Sequence, residues 1–491
     1  MEGMKTFSKN IIIDSSPKAA LYALSEAGLL AAMDTERPSY HYHPISQWMN
    51  DANGCYYKDG WYHVFHLQDP FSSRGDSKAQ VRAGLIFDGD KRPNRYWAHA
   101  RSRDLLNWEY LPLALWPDRT NGEANPISGD SIVREDGSVL LFFTAKQIDS
   151  DSYVQRAAIS YDEINWKRIQ GNLLELSDID HKVDGHWRDP FVWKYKHEYY
   201  MIIGAETEKN AELLIFRAVD KSLLHWEYKG VFLSQLKENT GFFECPRLCK
   251  ISNKWVLIFS PYTPVEYYIG TIDWHNLRFQ IENNGKIDGG TQAYASVLIK
   301  NTDPPVLLSW IPGWNNVILS EYWNGVLSVP RTLSICNNRN LEQRIHPAVS
   351  SLRKEGKILP PALLRPNCPH TLAEGLPDRC EIELHFHTLS SSLQIDFLSD
   401  SKYITALVLK NGRAQLDEIS IPLTETDIYI RIFVDGCVWE IFFENVGQCL
   451  TKVLTPAMPR ISIVAEAKEN EAAFCGGRAW ELKAVDFSVK Y

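Results

Sequence analysis

The chain has 491 residues, 44% of them hydrophobic and 23% charged, and a net charge of −9 from 52 basic and 61 acidic side chains. That composition excludes a disordered or fibrous chain, and the lack of a sustained basic stripe argues against nucleic-acid binding, which needs clustered Lys and Arg. The length exceeds the size at which one hydrophobic core stops growing, so two domains are expected.

In chain order, the first feature is the apolar run Ala19–Met33. Ser25 and Glu26 interrupt it and the basic residues before it are dispersed rather than leading a compact apolar core, so it reads as an amphipathic helix rather than a signal peptide. Residues 1–39 are therefore taken as an N-terminal helical extension. No later run approaches the length of a membrane span. The nine cysteines are odd in number and scattered. Cys245 and Cys249 are the closest pair, without the second pair that a zinc site requires. A reduced, cytoplasmic protein without metal is the expectation.

From about residue 40 to 345, short β-branched and aromatic runs alternate with Gly, Asp and Asn turns. Examples are Trp61–Phe65, Val139–Thr144, Tyr199–Ile203 and Trp255–Phe259. These read as antiparallel strands. The segment Asp104–Tyr110 is echoed by Lys221–Tyr228 and, more briefly, by Asp162–Trp166. A repeated strand–turn–Trp unit suggests sheet modules arranged around an axis, as in a β-propeller, with the Trp residues packing one module on the next. Residues 346–370, with Pro360, Pro361, Pro366 and Pro369, read as a linker. Beyond it, alternating runs such as Glu381–Phe386 and Ile428–Val434 suggest a β-sandwich over residues 371–491. The fold class is thus all-β with a short helical start.

Three segments set a carboxylate in an apolar, turn-forming context: Trp48–Gly54 around Asp51, Trp187–Pro190 around Asp189, and Phe242–Pro246 around Glu244. Two carboxylates converging on one pocket are the usual equipment for cleaving a glycosidic bond. Asp51 lies in an Asn/Gly-rich turn whose amides can hold an ionised nucleophile, and Asn50 is placed to donate to a sugar hydroxyl. Arg188 beside Asp189 would keep that acid charged, suited to binding hydroxyls or a cationic transition state. Glu244 follows two Phe residues, and its desolvation should raise its pKa as a general acid requires. Taken one at a time, a hairpin turn, a surface ion pair and a satisfied buried Glu explain the same residues equally well.

The order and wording of the three segments resemble glycoside hydrolase family 32, with its W-M-N-D-P-N-G, R-D-P and E-C-P blocks. Further collinear segments carry the resemblance: Trp97–Leu105, Ser128-Gly129, Asp288–Gly290 with Tyr294-Ala295, Leu327–Arg331 and Val434–Phe442. The resemblance implies a five-bladed β-propeller catalytic domain over residues 40–345 followed by a C-terminal β-sandwich. It also implies a retaining β-fructofuranosidase acting on a small carbohydrate: sucrose, sucrose 6-phosphate or short fructans. Asp51 would be the nucleophile, Glu244 the acid/base and Asp189 the transition-state stabiliser. No metal or organic cofactor is needed, and neither a membrane nor nucleic acid is an expected partner. A homo-oligomer is compatible with the sequence. Substrate-binding candidates are Asn50, Gln68, Trp97, Ser128, Arg188 and Arg247.

The chain departs from the family pattern at four places. Ala52 stands where Pro is usual. Leu67 stands where a Gln is usual, so Gln68 serves only if a bulge shifts it to the other face. Residues 72–95 read as an inserted, locally basic loop that lacks a usual Trp and either is a solvated loop or lids the leaving-group subsite. Arg247 replaces an Asp associated with the glucose side of sucrose, and is expected to alter leaving-group preference. Fructosyl transfer by the same site is the nearest rival reading. A catalytically inactive sugar-binding protein and an inverting pentosidase are more remote, the former opposed by the retention of all three carboxylates.

Overall fold

In the computed structural model, which describes residues 15–75, 94–148, 150, 152–315, 317–336, 340–388 and 392–490, antiparallel sheets account for almost all of the regular structure. Most of the expected insertion at 72–95, and residues 1–14 of the N-terminal extension, lie outside the described residues. The predicted helix is present at Pro17–Ala32, with the Ser16 hydroxyl capping the Ala19 amide at 3.2 Å.

Residues 47–345 form five successive sheets, each opening on one strand: Gln47–Lys58, Glu123–Val133, Trp187–Tyr195, Glu244–Ile251 and Tyr294–Ile299. These opening strands adjoin one another in cyclic order, the fifth returning to the first. Apolar clusters follow the same cycle. Phe65 and Trp97 of the first sheet pack with Leu141 and Phe143 of the second. Leu140 and Phe142 on the other face of the second sheet join Met201 and Ile203 of the third. Ile202 and Ile215 of the third meet Leu257 and Phe259 of the fourth, and Ile258 of the fourth, Leu298 of the fifth and Val64 of the first share one more cluster. Burial on both faces explains why middle strands such as Val139–Thr144 are continuous apolar runs rather than alternating ones.

The strand–turn–Trp echo is a capped turn before the outermost strand of a sheet. Asp104 accepts from the Leu106 and Asn107 amides at 2.9 and 2.8 Å and from the Asn107 side chain at 2.7 Å. Asp162 does the same for Ile164 and Asn165, and a copy that the sequence reading missed holds Asp273 against His275 and Asn276. The carboxylate replaces backbone partners lost at the bend, which is why Asp recurs there.

Residues 346–370 are not a free linker. Arg353–Leu359 and Ala362–Leu364 both pair with Ala472–Leu482, inside a seven-stranded sheet. The prolines flank these short edge strands, where a missing N–H costs no ladder bond. A six-stranded sheet lies opposite, and one apolar cluster draws Ile382 and Ile432 from the first of the two sheets and Ile395, Phe397 and Ile463 from the second. The C-terminal boundary also needs correction: Phe487–Val489 returns to pair in parallel with Trp108–Tyr110 of the first sheet.

Several motif residues outside the three carboxylate segments join the two halves of the chain. Glu440, fully buried, accepts from the Val329 amide at 2.7 Å, from Arg331 and from His41 Nε2 at 2.9 Å. Asp435 accepts from the Ser39, Tyr40 and His41 amides, and Asp288 from the Thr451 amide and hydroxyl. Burial opposes a charge on His41, but its bonds to Asp435 and Glu440 outweigh that and push its pKa up to about 9. Because this lies above the unfolded value, the stabilisation is complete below about pH 6.5 and is lost as pH rises through about 9. Glu440→Ala would leave Arg331 buried without its anion and strip His41 of one of its two carboxylates. It is expected to cost about 3–5 kcal/mol, read as the shift in a denaturant unfolding curve at pH 6. A loss below about 1 kcal/mol would contradict this account of the junction.

Candidate active site

Each of the five opening strands carries an extra residue relative to its neighbour at the same level, the first two having a second register shift as well. Three steps on the opening strand match two on its partner between Met49 and Ala52, Pro126 and Gly129, Arg188 and Phe191, Glu244 and Arg247, and Tyr294 and Val297. A bulge bends the strand and re-aims side chains. Asp51, Ser128 and Asp189 lie within three of these bulges, and Glu244 and Tyr294 open the other two. Asp189, Cys245 and Ala295 adopt left-handed backbone, with φ of 67°, 48° and 44°. Non-glycine residues hold that conformation only where surroundings enforce it, and such positions concentrate at functional sites. Gly129, next to Ser128, tolerates no side chain, since an added Cβ would stand 2.0 Å from the Phe142 carbonyl oxygen.

Asp51, Asp189 and Glu244 are all buried and are brought together. Cys245 links them: its amide donates to Asp189 Oδ2 at 3.0 Å and its thiol lies 3.9 Å from Asp51 Oδ2. Ser128 Oγ donates to that same Asp51 oxygen at 3.0 Å, while Asp51 Oδ1 has no hydrogen-bond partner. One oxygen is thus anchored and the other is left unengaged, as an attacking atom requires. Asn53 braces this turn by donating to the Asp51 carbonyl at 2.7 Å. The Asp189 amide donates to Thr144 Oγ1 at 3.0 Å, which in turn donates to Gln155 Oε1 at 2.8 Å.

Glu244 sits between two groups. Arg188 Nη2 donates to its Oε1 at 2.9 Å, and Tyr294 Oη lies 2.6 Å from its Oε2. Burial raises the Glu244 pKa to about 7; Arg188 and the Tyr294 hydrogen bond lower it, and the neighbouring Asp51 and Asp189 raise it further. Tyr294 Oη is also 3.0 Å from the Ser260 carbonyl and accepts the Tyr262 amide at 3.1 Å. A phenol has one proton. When Glu244 is protonated it donates to Tyr294, which donates to Ser260; when Glu244 is ionised, Tyr294 turns its proton to the carboxylate. The phenol therefore serves both forms of the acid. Tyr294 and Cys245 were visible in the sequence only as members of matched segments, and Thr144 carried no signal of a role.

Arg188 favours the charged form of Asp189 as expected, but its closest bonds go elsewhere. Its guanidinium bonds Glu244 and Tyr262 and lies over the Phe242 ring at 4.6 Å, and only Nε approaches Asp189, at 3.5 Å. Burial raises the Asp189 pKa in spite of Arg188 and the Cys245 amide, which both lower it.

Beside Glu244, Tyr262, Thr263, Thr291, Tyr294, Trp314 and Asn315 line a cavity of about 240 Å³. Half-exposed Trp314 packs edge-on against Trp310 at 5.0 Å and near Trp48 at 6.1 Å. Asn50 is buried and accepts from Trp48 Nε1 at 3.1 Å. Three expected substrate contacts are turned away. Gln68 pairs without any bulge toward Tyr96, and its amide nitrogen donates to the Ser46 and Trp48 carbonyls. Trp97 is fully buried and its indole N–H donates to Ile127. Arg247 is fully buried too, donating to the Pro246 and Ala52 carbonyls, and does not line the cavity beside Glu244. Among the described residues, no group of three or more His, Cys, Asp or Glu side chains is placed to hold a metal ion, and no helix is long and apolar enough to cross a membrane.

Comparison with known proteins agrees with this geometry. The family model for the glycosyl hydrolases family 32 N-terminal domain matches residues 41–83 and 85–345. The chain is 26% identical to a sucrose-6-phosphate hydrolase of Vibrio alginolyticus, covering 87% of this chain and 88% of that protein. It is 28% identical to a levanase of Bacillus subtilis, covering 86% of this chain and 66% of the relative. Among solved structures, the sucrose-6-phosphate hydrolase of Lactobacillus gasseri superposes with a TM-score of 0.79 at 22% identity, over 96% of this chain and 100% of that one. The bulged ring of five opening strands, the three carboxylates it gathers and the matched 41–345 span lead to one assignment: the chain belongs to glycosyl hydrolases family 32 and is a glycoside hydrolase.

Proposed function

We propose that the protein is a retaining β-fructofuranosidase that releases terminal fructose from sucrose, sucrose 6-phosphate or short fructans. The observation that carries this reading is the unequal treatment of two neighbouring buried acids. Glu244 holds its proton up to about pH 7 through burial, while Asp51 is anchored by Ser128 with one oxygen unengaged. Acids separated in this way serve as donor and nucleophile.

In the first step, Asp51 Oδ1 attacks the anomeric carbon as Glu244 passes its proton to the leaving oxygen. The bond to the leaving sugar breaks and an ester to Asp51 forms. Asp189 lies beside the developing oxocarbenium charge and stabilises it. In the second step, Glu244, now ionised and held by Arg188 and Tyr294, takes a proton from water, whose oxygen attacks the same carbon and frees Asp51. The names of the relatives, sucrose-6-phosphate hydrolase and levanase, support fructose as the sugar in the primary subsite.

In this reading the five cyclically adjoining sheets are the blades of a propeller and the two later sheets a β-sandwich. A cytoplasmic location belongs to the same reading, supported by nine unpaired thiols. The test is incubation with sucrose, sucrose 6-phosphate, inulin and levan, with products identified by chromatography. Free fructose, first released as the β anomer by NMR, is expected. Fructosylated oligosaccharides in place of fructose would instead assign transfer, and no turnover of any of the four would overturn the proposal.

A further inference from the structure

Arg247 is fully buried, yet no carboxylate lies within ion-pair distance of it among the described residues. Its contacts are long for a charged donor: 3.3 Å to the Pro246 carbonyl, 3.4 Å to the Ala52 carbonyl and 3.5 Å to Asn53 Oδ1, with Nε unpartnered. Charge-assisted bonds usually close to about 2.7–2.9 Å. A buried cation so weakly bonded is unfavourable unless charge elsewhere compensates it.

The surrounding elements supply that compensation. The first opening strand brings Asp51 and Cys55, the second Asp130, the third Arg188 and Asp189, and the fourth Glu244 and Cys245 together with Arg247 itself. Tyr262 follows the fourth sheet's second strand, and Tyr294 and Lys300 belong to or follow the fifth opening strand. Lys300 is engaged by Asp130 and the Ser131 and Val192 carbonyls. Arg188 serves Glu244 and Asp189. With Glu244 protonated, the carboxylates Asp51, Asp189 and Asp130 are matched in number by the cations Arg188, Lys300 and Arg247, the last of which acts electrostatically on Asp189. Without Arg247 the cluster carries a net negative charge in a buried site. The link from Arg247 to the nucleophile is short: Arg247 donates to Asn53 Oδ1, and Asn53 Nδ2 donates to the Asp51 carbonyl.

We propose that Arg247 is a positioning residue for the glycosidase reaction: the buried counter-cation for the acidic cluster that holds Asp51 and Asp189. The proposal rests on the roles assigned above to the three carboxylates. It replaces the expectation that this Arg selects the leaving group.

The test is the pH profile of kcat/KM on sucrose for wild type, Arg247→Met, Arg247→Lys and Asn53→Asp. The last variant changes almost no volume and sets a carboxylate against the guanidinium, while also removing the donor to the Asp51 carbonyl. Arg247→Met and Asn53→Asp are expected to move the acidic limb up by about one pH unit, with a roughly tenfold loss of kcat/KM on that limb. Arg247→Lys, which keeps the charge, should restore the limb to near its wild-type position. A purely structural arginine would lower the unfolding temperature without moving the limb. An unmoved limb in Asn53→Asp overturns the proposal even if Arg247→Met does not fold. Failure of the underlying reading looks different: Asp51→Ala would then remain active.

Discussion

Asp51→Asn and Glu244→Gln are both expected to cut kcat on sucrose by about 10³-fold or more, but for separable reasons. Asp51→Asn removes the atom that forms the covalent intermediate, so no choice of leaving group should recover it. Glu244→Gln removes a proton donor, and a substrate whose leaving group needs no protonation, such as β-fructofuranosyl fluoride, should restore most of the first step. Burst kinetics on the fluoride then report the accumulation of the fructosyl-enzyme, because hydrolysis of the ester lacks its base. If Asp51→Asn were rescued by the fluoride, or Glu244→Gln were not, the two roles would have to be exchanged.

The second large effect is on stability. Burial lifts the Glu244 pKa to about 7 from an ordinary value of 4.5, so the folded protein binds this proton more tightly than the unfolded chain does. For a carboxyl shifted upward the sign is the reverse of the usual acid: folding is penalised above about pH 7 and the penalty fades as pH falls toward 4.5. Glu244→Gln imitates the protonated acid and retains partners for Arg188 and Tyr294. It is expected to stabilise the fold by up to about 3 kcal/mol at pH 8 and by almost nothing at pH 4.5, as measured by denaturant unfolding across that range. Inactivity combined with greater stability would be the signature of an acid held against its preference for water. A pH-independent difference between the variant and wild type would contradict the shifted pKa. The same shift predicts that kcat/KM falls as pH rises through about 7, since the donor is then lost.

The other residues of the site show what one-dimensional reading misses. The family resemblance carried Gln68, Trp97 and Arg247 over as substrate contacts, and each is turned inward with its polar atoms on backbone carbonyls. The opening strands are bulged at the level of the site, so facing there does not follow simple alternation, whereas Gln68 lies on a strand that pairs with the next one without a bulge. Tyr294 and Cys245 reach Glu244 and Asp51 through the same bulges, from positions that carry no catalytic signature of their own. The C-terminal motif residues Asp435 and Glu440 proved to be structural, holding Ser39–His41 and Arg331 across the junction. The Asp-capped turns were legible twice over because their hydrogen bonds run between residues two and three apart.

The sequence by itself determined the all-β class and the family, and it pointed to the three carboxylates, because each rests on local composition or on short contiguous motifs. Only the tertiary structure decided how those carboxylates differ. Their protonation depends on burial and on partners drawn from five sheets: Ser128 for Asp51, the Cys245 amide for Asp189, and Arg188 with Tyr294 for Glu244. No spacing along the chain encodes that convergence, since it arises from the ring closure of strands up to 247 positions apart, between Gln47 and Tyr294. The same closure buried Arg247 beneath the nucleophile rather than beside the leaving group.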